Sequence, residues 1–205
     1  MSISVALALL AQAAPSPTVT IARPEELSEL ERACLEKHSG EDEAALLECL
    51  GIVDARYAPV EEVEKAVSAM HPSQMYIFAA RLFNEEQRPD DALFWFYAGQ
   101  LRWRIQIACT PPAPGGEGAA FGAMQSMLGP QFNQYGAEDV DNWIGTIDRV
   151  LEWDVANPDP LLPEGCEAAR AKQIEGLKKL AASIGERRGE IESSLRELQA
   201  EAGVR

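Results

Sequence analysis

Met75–Cys109 reads MYIFAARLFNEEQRPDDALFWFYAGQLRWRIQIAC, and its two halves decide the fold. In the second half Phe94, Tyr97, Leu101, Ile105 and Ala108 recur at i, i+3, i+7, i+11 and i+14. That spacing places them on one face of a helix with 3.6 residues per turn. Leu93, Phe96, Trp103 and Ile107 extend the apolar surface round most of the cylinder. A helix apolar nearly all round needs neighbours on several sides, so it is expected at the centre of the fold. Pro89 and Asp90 stand where its first turn would begin, and Asp90 or Asp91 can accept from the free amides there. The first half, with Ile77, Phe78, Ala80 and Leu82, lacks strand alternation and reads as a second helix ahead of the polar turn Asn84–Asp91. Each large side chain buried in such a hairpin stabilises it by roughly 1.5–3 kcal/mol, so these aromatics are expected to be core and not a cofactor site.

Four polar residues interrupt the second helix: Gln100, Arg102, Arg104 and Gln106. A guanidinium on a buried helix must be paired, or must lean out to water over its own stem. Residues two apart point about 200° from each other round the axis, so Arg102 and Arg104 cannot serve one site. Arg104 shares the face of Tyr97, Leu101 and Ala108, and is expected to be a structural ion pair. Arg102, nearer Trp95, is then the candidate for partner binding. On this reading Arg104→Ala lowers the melting temperature and Arg102→Ala does not.

The chain has 205 residues, enough for one good core or for a domain with an appendage. Its 18 basic and 33 acidic side chains give a net charge of −15, which argues against nucleic acid as a partner. Arg23–Glu64 carries 4 basic and 13 acidic residues, and Thr110–Asp159 carries 1 and 8. Lys65–Cys109 (5 and 4) and Pro160–Arg205 (8 and 8) are nearly balanced. The neutral hairpin is therefore flanked by acidic segments, which either keep the chain soluble or steer it to a basic partner.

Met1–Ala13 resembles a signal peptide, with an apolar run Ile3–Leu10 and the small-x-small pattern Ala11-Gln12-Ala13, although no Lys or Arg precedes it. It is too short to stay as a membrane span, and an extended leader follows over 14–24. A helical domain is expected over 25–160 and a long C-terminal helix over 161–205. Helices are expected from Pro24, from Asp42 and over Pro59–Met70, the last ended by His71-Pro72. After Cys109, a Pro-Gly loop leads to a short helix Ala119–Leu128, ended by Gly129-Pro130. Gln131, Asn133 and Tyr135 then lie in a polar-aromatic loop, a usual place for binding residues. Glu138–Asn157 reads as a helix with Val140, Ile144, Ile147 and Leu151 inward, and Asp141, Asp148 and Glu152 outward as candidate partner contacts. Ile174, Leu177, Ala181, Ile184, Ile191, Leu195, Leu198 and Ala202 follow a heptad seam broken by Arg188 and weakened by Gly185 and Gly189. That seam either packs along the domain or self-associates through 174–202.

Cys34, Cys49, Cys109 and Cys166 form an even set behind an export-like start, which suggests two disulfides, preferably Cys34–Cys49 and Cys109–Cys166. No C-x-x-C pair or His at ligand spacing supports a metal, and no cofactor motif is present. The two histidines, His38 and His71, stand in turns without the Ser or Cys context of a nucleophile, so no catalytic residue is assigned.

Ala79, Leu82, Asp91, Ala92, Trp95 and Ala98 resemble one helix pair of a TPR or Sel1-type repeat over about 20 residues. The runs Phe94–Arg102 and Asp148–Asp154 are similar to helical bacterial proteins without an assigned activity, and that resemblance implies no catalytic residues. The expected molecule is all-α, an irregular bundle around the aromatic hairpin, periplasmic or secreted, with a cytoplasmic location as the alternative. It is expected to bind a protein, for example as an immunity or inhibitor protein with an acidic surface. A TPR-like scaffold of the cell envelope and an unrecognised hydrolase are the alternatives.

Overall fold

His71-Pro72 and Arg88-Pro89 start the two helices of the hairpin, because proline at a first turn gives up an amide that has no helical partner. The computed structural model describes residues 55–56, 59–110 and 116–203. The signal-like start, the leader, the helices expected from Pro24 and Asp42 and the pair Cys34–Cys49 lie outside the described residues. Among the described residues the fold is all-helical: α1 Val60–Ala66, followed by a 3-10 turn Val67–Ala69, α2 Pro72–Asn84, α3 Pro89–Cys109, α4 Glu117–Glu138, α5 Val140–Ala156, α6 Glu167–Glu186 and α7 Arg188–Gly203.

The hairpin α2–α3 is the centre, as its composition requires. Phe96, Tyr97, Leu101, Trp103 and Ile105 are buried on α3, and Met75, Tyr76, Phe78 and Leu82 on α2. Gly99 marks the closest approach of the two helices, since a Cβ there would stand 2.9 Å from Tyr76 Cδ2 and 3.0 Å from Met75 Cβ. The connecting turn closes with Gln87 at a φ of 54° and Arg88 N donating to Leu82 O at 2.9 Å. Arg88 then ties the turn to Asp91 and Glu64, each at 2.7 Å. α4, α5 and α6 pack on the remaining sides of α3.

The structure corrects several expectations. Gly129-Pro130 does not end a helix, and Gln131–Tyr135 is not a loop: α4 runs unbroken from Glu117 to Glu138 with Pro130 inside it. Gly129 has no Cβ to clash with the proline ring, and Pro130 is exposed, so the missing hydrogen bond falls on the solvent side. Leu128 and Phe132, buried on either side of the proline, hold the helix to the hairpin. Phe132 stacks on Phe96 with ring centroids 4.3 Å apart and meets Phe83 edge-on at 5.4 Å.

The long C-terminal helix is two helices, interrupted at Arg187. The interruption falls among Gly185, Arg188 and Gly189, where the seam is weakest. It leaves Arg188 to form a two-pronged pair with Asp141, with Nη1 2.9 Å from Oδ2. Leu177, Ala181, Ile184 and Ile191 are buried in the core of this chain, so the seam packs along the domain. Cys109, at the end of α3, and Cys166, at the start of α6, form a disulfide with their Cα atoms 5.6 Å apart.

Candidate functional site

α5 has two chemically opposite faces. Asp139 caps its start by accepting from Asn142 N at 3.0 Å. Val140, Trp143, Ile147, Val150 and Asp154 are buried, whereas Asp141, Asp148, Glu152 and Val155 are exposed. Ile144 and Leu151, expected fully inside, are half-buried at the border.

Asp154, a charge on the buried face, finds Arg102. Arg102 Nε lies 3.7 Å from Asp154 Oδ1, and the side chains are 0% and 2% exposed. Arg170 of α6 holds the other carboxylate oxygen. The Arg102 guanidinium also donates to the carbonyls of Ser68 and Asn157, and its Cζ lies 4.2 Å above the Trp153 ring. Burial pushes the Arg102 guanidinium below its usual range, and the charges of Asp159 and Asp154 oppose that shift. One side chain thus joins the 3-10 turn, α3, α5 and, through Asp154, α6.

The roles expected of the two arginines are therefore reversed. Arg102 is the buried structural pair and not a partner contact. Arg104 is exposed, makes no ion pair among the described residues, and holds its Cζ 5.4 Å over the Phe121 ring. Periodicity misled here because α3 is buried almost all round, so the apolar pattern cannot rank its faces.

The other sequence candidates are brought to the hairpin. Gln131 Nε2 donates to Asn84 Oδ1 at 3.1 Å, Tyr97 OH to Asn133 Oδ1 at 3.3 Å, and Tyr135 OH to Asp90 Oδ1 at 2.8 Å. These three residues fasten α4 to α2 and α3. Asp141 is engaged by Arg188, whereas Asp148 and Glu152 make no ion pair among the described residues.

Burial, reinforced by Asp90, raises the Tyr135 hydroxyl to about 12, and burial raises Tyr76 and Tyr97 further. A folded-state value above the unfolded one, about 10, means the contribution is complete below pH 10 and is lost as pH rises through 12. Chemical denaturation across that window is expected to show falling stability, with a shallower fall in Tyr135→Phe. An identical slope in the variant would contradict the assignment.

His71 is held by a helix end. Its Nδ1 accepts from Ser73 N at 3.3 Å and lies 2.8 Å from Ser73 Oγ, while Nε2 is 3.6 Å from Glu117 Oε2. Nδ1 is thus engaged in capping α2, and Glu117 also accepts from Trp103 Nε1. Among the described residues no group of His, Cys, Asp and Glu is arranged to hold a metal ion, and no helix is long and apolar enough to cross a membrane.

Where α3, α4, α5, α6 and α7 meet, Tyr97, Gln100, Arg104, Gln125, Asn133 and Arg187 line a cleft of about 230 Å3. Trp143, Ile184 and Ile191 supply its apolar walls. Gly136 sets one side: a Cβ there would lie 2.6–2.9 Å from the Trp143 ring, so only glycine lets α4 meet α5 this closely. Its walls come from five separate helices, so the sequence alone did not assemble it. The one usable signal was the polar interruption of α3 at Gln100 and Arg104.

Comparison with family models, curated proteins and solved structures finds no match. The functional reading rests on the two surfaces just described.

Proposed function

We propose that this chain is an exported binding protein that docks a basic protein against the outer face of α5, in the manner of an immunity or inhibitor protein. The observation that carries the reading is the outward stripe of α5. Asp148 and Glu152 are exposed and free of ion pairs among the described residues, and they continue the line of Asp141 towards Val155, which is 69% exposed. A net charge of −15 adds long-range attraction for a basic partner and speeds encounter. Export is supported by the signal-like start and by the Cys109–Cys166 disulfide, which suits an oxidising compartment.

Carbodiimide cross-linking in an extract of the cells of origin, followed by peptide mapping, tests the docking face. Asp148 or Glu152 is expected to be joined to lysines of a basic protein. The Asp148→Lys/Glu152→Lys variant, folded to the same melting temperature, is expected to lose that partner. A variant that retains the same partner with equal yield would contradict the reading.

A further inference from the structure

The cleft beside Arg104 gathers two guanidinium groups and the amides of Gln100, Gln125 and Asn133, with no carboxylate among its lining residues. Trp143 Nε1 can only donate, and it donates to Tyr97 OH at 2.7 Å. Tyr97 OH passes its own proton to Asn133 Oδ1 at 3.3 Å. The acceptor end of Asn133 is thereby used, and its Nδ2 group makes no hydrogen bond among the described residues. Gln125 repeats the pattern, because its Oε1 accepts both Tyr76 OH at 2.9 Å and Gln100 Nε2 at 3.0 Å. Its Nε2 likewise has no partner there. Neither nitrogen is among the fully buried atoms without a partner, so each keeps some contact with solvent.

Two cations stand with these amides. Arg104 makes no ion pair among the described residues, and Arg187 is held only by Glu190 at 3.0 Å, a surface pair three residues on. The Glu190 side chain is 65% exposed and can turn to solvent, which releases the Arg187 guanidinium to a better acceptor. None of the cleft-lining residues is acidic, although the chain carries 33 acidic side chains. Trp143, Ile184 and Ile191 offer an apolar floor beside the donors. The volume, about 230 Å3, lies just below the usual ligand-pocket range.

We propose that this cleft binds a small organic carboxylate with a compact apolar body. The carboxylate sits between Arg104 and Arg187 within reach of the Asn133 and Gln125 amides, and the apolar body lies on Trp143 and Ile184. Guanidinium forks match the two oxygens of a carboxylate, and the apolar floor selects against inorganic anions.

The test is an NMR titration of the full chain with phenylacetate, read at the Trp143 indole N–H. A saturable shift in the millimolar range is expected. Arg104→Gln, which alters an exposed side chain, is expected to bind roughly tenfold more weakly, the loss of one charge-assisted hydrogen bond. The uncharged analogue 2-phenylethanol and inorganic phosphate are expected to give no saturable shift. Absence of a shift with phenylacetate would overturn the proposal. So would equal binding of the alcohol or of phosphate, or unchanged affinity in Arg104→Gln with its melting temperature preserved.

Discussion

Asp154→Ala is expected to destabilise the fold by about 3–5 kcal/mol, the usual cost of leaving a buried charge without its partner. Arg102 is 0% exposed, so water cannot replace the lost carboxylate. The carbonyls of Ser68 and Asn157, the Trp153 ring and the more distant charge of Asp159 remain, but none of them is a carboxylate at ion-pair distance from Arg102. Arg102 Nε already lacks a hydrogen-bond partner, so the site has no reserve acceptor. Arg170, about a third exposed, can turn to solvent and adds little to the loss. Combining Asp154→Leu with Arg102→Met is expected to recover part of the stability, since an apolar pair often replaces a buried ion pair without loss. Denaturant unfolding of the single and double variants measures this coupling. A double variant that loses the full sum of both singles would show that the two side chains act independently.

Removing the Cys109–Cys166 bond by Cys109→Ala with Cys166→Ala is expected to cost about 4 kcal/mol. The two residues are 57 apart in sequence, and a loop of that length, once released, regains roughly that much chain entropy in the unfolded state. The bond also joins the end of α3 to the start of α6, the two helices that carry Arg102 and Arg170. The double variant isolates this one bond. A loss of about 1 kcal/mol or less by denaturant unfolding would contradict the expected role.

The hairpin was readable because its evidence is local. Aromatic residues at helical spacing, Pro89 at a helix start and a polar turn all lie within 35 residues. The Cys109–Cys166 pairing followed as the pair left once Cys34 was matched with Cys49 on consecutive expected helices. α4 was not readable, because Gly129-Pro130 is a helix stop in isolation. Its continuity comes from Leu128 and Phe132 landing together on the hairpin, a tertiary effect. The arginine roles were not readable for the same kind of reason. Asp154 is 52 residues beyond Arg102, and nothing near either residue marks them as partners. Gln131, Asn133 and Tyr135 were expected to be partner contacts in a loop, yet they lie on a helix and bond to the hairpin. The cleft depends on which end of each side-chain amide is consumed inside the fold, and that is set by packing alone.

The two arginines of α3 divide the labour: Arg102 locks the fold, and Arg104, which lines the cleft, makes no ion pair among the described residues. Thermal unfolding of Arg102→Met and Arg104→Met, measured side by side, tests it most directly. Arg102→Met is expected to lower the melting temperature by roughly 6 °C or more, while Arg104→Met stays within about 2 °C of the wild type. A larger drop for Arg104→Met, or equal and negligible shifts for both, would contradict it.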